Sequence, residues 1–167
     1  MNSRLDWGNI GHISKNLIKN NDIIWPDNKK FAVCLTHDVD RTYKTYQRIT
    51  GLFKGVNSTK IRELFSSKAN NYWQFEKIMN LEDSYGVRST FFFLNETLRF
   101  NILNPRSWKF SLGRYDIRSK KIVNIIRKLD ANGWEIGLHG SIKSYNNINL
   151  LLKEKLLLEK IVGHKIE

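Results

Sequence analysis

Cysteine is almost missing from this 167-residue chain: Cys34 stands alone, so no intrachain disulfide exists to staple the fold. Its place in the apolar run Phe31-Ala32-Val33-Cys34-Leu35 predicts a small buried hydrophobe rather than a reactive thiol. Long apolar runs are missing too. No stretch approaches the roughly 20 residues that span a bilayer, and Met1 to Ile10 mixes Asn, Arg, Asp and Gly with no apolar core region. A membrane span and a secretory signal are therefore not expected, and a cytoplasmic protein is. Acidic residues are in deficit, 16 against 28 basic, for a formal net charge of +12. That balance raises the encounter rate with anionic partners and says little about fold. Nucleic acid, anionic glycan and acidic membrane surface all stay open as partner classes. What is present, 41% hydrophobic residues over this length, suits one globular domain with a real core.

Met1 to Lys30 is polar, Asn-rich and broken by Pro26, which predicts a leader over residues 1–29 with one short helix near Ile13 to Ile18. A strand then covers Phe31 to Thr36. Arg41 to Asn71 is rich in Lys, Arg, Ser and Thr, as short helices and loops are. Helical spacing of Phe75, Ile78, Met79, Glu82 and Tyr85, closed by Gly86, predicts a helix over about Tyr72 to Tyr85. The β-rich run Val87 to Leu94 follows, with Phe91-Phe92-Phe93 as core of a strand buried on both faces. A loop reaches Tyr115. Ser119 can cap a helix carrying Ile122, Ile125, Ile126 and Leu129, and Asn132-Gly133 precede a third strand over Glu135 to Leu138. A last helix spans Ile148 to Val162, with Leu150 to Leu152 and Leu156 to Leu158 packing on the sheet. Alternating strands and helices predict an α/β fold, a parallel sheet with helices outside it.

Two of these strands end in groups able to hold a metal: Thr36-His37-Asp38-Val39-Asp40, and Gly133-Trp134-Glu135-Ile136-Gly137-Leu138-His139-Gly140-Ser141. Strand side chains alternate between faces, so Asp38 and Asp40 share one face with small Ala32, Cys34 and Thr36. Glu135, Gly137 and His139 share the less bulky face of the third strand. His37 falls on the opposite face with Leu35 and Val39 and reads as a packed or hydrogen-bonded core histidine that can orient the acids. His12 and His164 read as surface residues.

Together with Tyr85-Gly-Val-Arg-Ser-Thr-Phe-Phe-Phe-Leu94, these blocks resemble, in order, the first blocks of the polysaccharide deacetylase superfamily (NodB homology, carbohydrate esterase family 4) in its HDVD-type branch. The likeness covers about Trp25 to Ile166. It implies a distorted (β/α) barrel of the glycoside hydrolase/deacetylase type, of which residues 30–167 would form an N-terminal part, with the site at the C-terminal strand ends. It also implies a metal-dependent hydrolase that removes an acetyl group from an N-acetylated sugar of a bacterial surface polysaccharide or its precursor. By the same resemblance Asp38 is the general base, and Asp40 and His139 bind a divalent cation, with zinc the first choice and cobalt, nickel or manganese also suited. The family's second histidine, four residues after the first, is replaced here by Lys143, whose ammonium has no lone pair to donate. Ser141, Ser144 or water are then the options for a third ligand.

Trp108 and Tyr115, in the loop after the second strand, are the residues placed to stack on a sugar ring. Against the enzyme stand two other readings. Asp38 and Asp40 serve equally well as caps of a helix starting near Arg41. Lys and Arg at positions 44, 48, 54, 60, 62 and 68, interleaved with Tyr43, Tyr46 and Phe53, have the composition of a non-catalytic module for nucleic acid or anionic polysaccharide. No recognised nucleic-acid motif accompanies them. An inactive, truncated deacetylase is the third reading.

Overall fold

The computed structural model describes residues 29–43, 72–98 and 100–166. The expected leader helix, His12 and the basic stretch beyond Tyr43 lie outside them. By compactness the chain divides into Met1–Cys34 and Leu35–Glu167. In the second unit β1 (Thr36–Val39), β2 (Thr90–Leu94) and β3 (Glu135–His139) form a parallel sheet in the order β1-β2-β3. Between and after them come α1 (Phe75–Ser84), α2 (Pro105–Ser111), α3 (Lys120–Ala131) and α4 (Ile148–Val162). The fold is α/β, as the alternation of patterns predicts.

The first strand differs from its expected range. Pairing begins with Thr90 N–H donating to Leu35 O at 3.0 Å and runs through Thr36 to Val39. Tyr85 caps α1 and Gly86 turns the chain, so β2 begins only at Thr90. Phe31 and Val33 are correspondingly exposed rather than in an apolar layer, and Cys34 is exposed rather than buried. The loop before Tyr115 also contains a helix, α2, that periodicity does not announce because it is only seven residues long.

Register lines up His37, Phe91 and Ile136 in one row across the sheet and Val39, Phe93 and Leu138 in the next on the same face. Helices cover that face. Phe75 of α1 stacks on Phe93, ring centroids 6.1 Å apart, and Met79 joins it. From α3 come Ile122, Ile125, Ile126 and Leu129, all buried, at the expected spacing of three and four. Each such aliphatic side chain contributes about 1.5–3 kcal/mol by leaving water. Ser119 occupies the N-cap of α3, but its hydroxyl makes no cap bond.

On α4 the sequence expectation is half right. Its cap is good: Asn147 accepts from Leu150 N–H, and Gly163 closes the helix at φ +98°. Only one stripe of a helix turns inward, however, and here it is Glu154, Leu158 and Ile161. Leu152 and Leu156, expected in the core, are exposed.

Candidate metal centre

The other face of the sheet carries the row between the Phe91 and Phe93 rows. Asp38, Phe92 and Gly137 stand side by side across it. A Cβ on Gly137 would lie 2.4 Å from the Phe92 ring, so glycine is required for that ring to lie flat over β3. One residue past β1 stands Asp40, and β3 ends in His139. His139 Nε2 lies 4.0 Å from Asp40 Oδ1. His139 Nδ1 lies 3.0 Å from Gly140 O, and since a carbonyl only accepts, Nδ1 carries the hydrogen. In the neutral imidazole that fixes the tautomer, and Nε2 is the ring nitrogen nearer Asp40.

The same Asp40 oxygen is held by a residue the sequence did not single out. Arg114 Nη1 donates to Asp40 Oδ1 at 3.1 Å and to Asp40 O at 2.8 Å, while its Nε donates to Phe110 O. The next residue, Tyr115, ties the strand ends together. Its hydroxyl donates to Val39 O at 2.8 Å and accepts from Leu94 N–H at 2.7 Å, joining the last residues of β1 and β2. Burial pushes the phenol well above its ordinary pKa, so it stays a neutral donor. Tyr115 is therefore not placed as a sugar platform: its ring is in the core, edge-on to Phe93 at 6.4 Å. Trp108 stands on α2, its indole N–H donating to Asn101 O at 2.9 Å and its ring 5.9 Å from Phe100.

Two further carboxylates support the site from within. Glu82 of α1 is buried and receives three hydrogen bonds: His37 Nε2–H at 2.7 Å, Ser89 Oγ–H at 2.9 Å and Trp134 Nε1–H at 2.6 Å. One side chain thus pins β1, the entry to β2 and the entry to β3. Burial pushes its carboxyl up, but the bonds from His37, Trp134 and Ser89 together outweigh that and hold it below its ordinary value of 4.5. His37 is the hydrogen-bonded core histidine the alternation predicts. Glu154 of α4 is also buried and accepts from Ser141 N–H at 3.2 Å, under the loop that leaves His139. Both acids sit on the buried stripe of their helices, which is the signal that marks them in sequence.

The structure thus brings Asp40, His139 and Arg114 together, with exposed Asp38 two residues before Asp40 on the same face. It does not bring in Lys143, which lines a groove with Thr97, Leu98, Phe100, Asn101 and Ile102. Two bonds of about 2.1 Å meeting at a tetrahedral angle put ligand atoms about 3.4 Å apart, so a cation shared by Asp40 and His139 would need their 4.0 Å separation to close by several tenths of an ångström. Among the described residues no group of three His, Cys, Asp or Glu side chains completes the set. No family model matches the sequence, and no curated protein or solved structure matches it either.

Proposed function

We propose that this chain is a metal-dependent carbohydrate deacetylase, hydrolysing the acetamide of an N-acetylated sugar at the open end of its parallel strands. The observation that carries the reading is the meeting of Asp40 and His139, from strands that are not neighbours, at 4.0 Å through Nε2, the imidazole nitrogen not bonded to the Gly140 carbonyl. Strand order supports the barrel form of the fold. Three parallel strands in sequential order are how a (β/α) barrel is wound.

Asp40 and His139 hold the cation, which is zinc in this reading, with cobalt, nickel or manganese compatible with the same carboxylate and imidazole donors. What such a cation supplies is Lewis acidity toward the amide carbonyl and a lowered pKa for water. Arg114 fixes the rotamer of Asp40 through Oδ1 and so presents the carboxylate in one orientation. Asp38, exposed on the same face, accepts the proton of the attacking water. Tyr115 and Glu82 act one layer back, keeping the strand ends at fixed spacing. The substrate is a polysaccharide or its precursor, and a cytoplasmic precursor fits a described chain in which no helix is long and apolar enough to cross a membrane.

Zinc titration calorimetry combined with acetate release from tetra-N-acetylchitotetraose tests this. Asp40→Asn and His139→Ala should lose both metal affinity and turnover, and Asp38→Asn only turnover, by about 10² to 10⁴. Acetate release that a chelator does not reduce, or equal loss of metal in Asp38→Asn and Asp40→Asn, would refute the assignment.

A further inference from the structure

His139 leads into a loop whose first peptide is held from both sides. The peptide group between Gly140 and Ser141 accepts from His139 Nδ1–H through Gly140 O at 3.0 Å and donates through Ser141 N–H to Glu154 Oε2 at 3.2 Å. One rigid plane therefore joins a buried carboxylate of α4 to the imidazole that ends β3. The next turn keeps that plane still. Ser141 O accepts from Ser144 N–H at 3.0 Å and from Ser144 Oγ–H at 2.8 Å. The Ser144 hydroxyl also closes over Gly140, where a Cβ would lie 2.9 Å from it. Both serines are buried, so little solvent competes for these bonds.

Glu154 is an expensive residue for its place. It is 1% exposed, on the same inward stripe of α4 as Leu158 and Ile161, and among the described residues no Lys, Arg or His forms an ion pair with it. Its second oxygen, Oε1, and the neighbouring Ser141 hydroxyl are buried without a hydrogen-bond partner. Such orphaned oxygens lower stability, and a position that served packing alone would carry leucine, as the stripe does four residues later. Local rules are broken in this way where a site needs a particular group. Glu82 fills both its oxygens from three side chains; Glu154 makes one bond, to the peptide whose carbonyl holds His139.

We propose that Glu154 is a positioning residue for His139, acting through the Gly140–Ser141 peptide. Holding the N–H sets the plane, the plane aims the carbonyl, and the carbonyl keeps the imidazole hydrogen on Nδ1. In the neutral ring the lone pair then stays on Nε2, the nitrogen nearer Asp40. That this lone pair meets a cation rests on the deacetylase reading; that the tautomer is fixed from α4 does not.

Heteronuclear NMR of the His139 ring, on the full chain without added metal and at a pH where the ring is neutral, reads the tautomer directly. The parent should carry the hydrogen on Nδ1. Glu154→Met, of similar length but without an oxygen acceptor, should shift it to Nε2 in most molecules and weaken zinc binding by about 10- to 100-fold. Glu154→Gln, whose amide oxygen still accepts from Ser141 N–H, should keep the parent's tautomer. Leu158→Ala opens a cavity on the same stripe and should lower the unfolding midpoint while leaving the tautomer unchanged. The proposal is overturned by hydrogen on Nε2 in the parent, by hydrogen retained on Nδ1 in Glu154→Met, or by an equal shift in Glu154→Gln or Leu158→Ala. Where the parent binds zinc, equal affinity in Glu154→Met overturns it as well. A parent that binds no zinc while the tautomers behave as expected overturns the deacetylase reading and leaves the positioning role standing.

Discussion

Two histidine–carboxylate pairs sit at opposite ends of the same short sheet, and they differ in how their carboxylates are used. His37 and Glu82 meet at 2.7 Å, with the Glu82 side chain 8% exposed and both its oxygens filled. His139 and Asp40 stand at 4.0 Å with 35% and 55% of their side chains exposed. In the first pair the carboxylate is buried and fully bonded, although His37, with 34% of its side chain exposed, is as open as His139, so it is Glu82 that can only hold things in place. The second is open, at a spacing too long for a hydrogen bond. A pair that stabilises has satisfied its bonding capacity; a pair that acts on something else has kept capacity back.

The largest effect should come from breaking the closed pair. Glu82→Leu leaves His37, Ser89 and the Trp134 indole N–H without their shared acceptor, and should cost about 3–5 kcal/mol of unfolding free energy in urea titration. A loss under about 1 kcal/mol would mean that the three segments are pinned by packing alone.

Next comes Tyr115→Phe, which unpairs Val39 O and Leu94 N–H at the strand ends while keeping the ring in the core. About 1–3 kcal/mol should be lost. Zinc affinity should fall with it if the spacing of β1 and β2 sets the position of Asp40. Asp40→Asn sharpens the contrast from the open side: its stability change should stay within about 0.5 kcal/mol, because its side chain is exposed, while zinc affinity collapses.

The pH dependence separates the pairs more gently. Glu82 has its carboxyl depressed below 4.5 in the folded state, so its contribution is complete above that value and is lost as pH falls through the folded pKa. Acid unfolding of Glu82→Gln should therefore be shallower than that of the parent when followed by circular dichroism. The smallest effect belongs to His164, whose pKa is raised by the Lys165 carbonyl and by Asp130 at 2.9 Å. Its contribution is present below 6.5 and lost as pH rises through the folded value, and His164→Ala should remove only that slight slope.

The residues that sequence alone determined are those whose role is set by periodicity. Alternation put Asp38 and Asp40 on one face and His37 on the other, and spacing of three and four put Ile122, Ile125, Ile126 and Leu129 inside; β2, β3, α3 and α4 follow from the same rules. Such patterns are local, and one face of a helix or strand must leave water whatever the partner is. Tertiary structure decided what no local rule contains. Arg114 reaches Asp40 across 74 positions, and Tyr115 spends its hydroxyl on two strand ends instead of offering its ring to a sugar. The first strand's start was likewise set by its neighbour, since a ladder can begin only where β2 has left the turn after α1. Hydrogen bonds between distant segments depend on where the chain crosses itself, and only the assembled sheet fixes that.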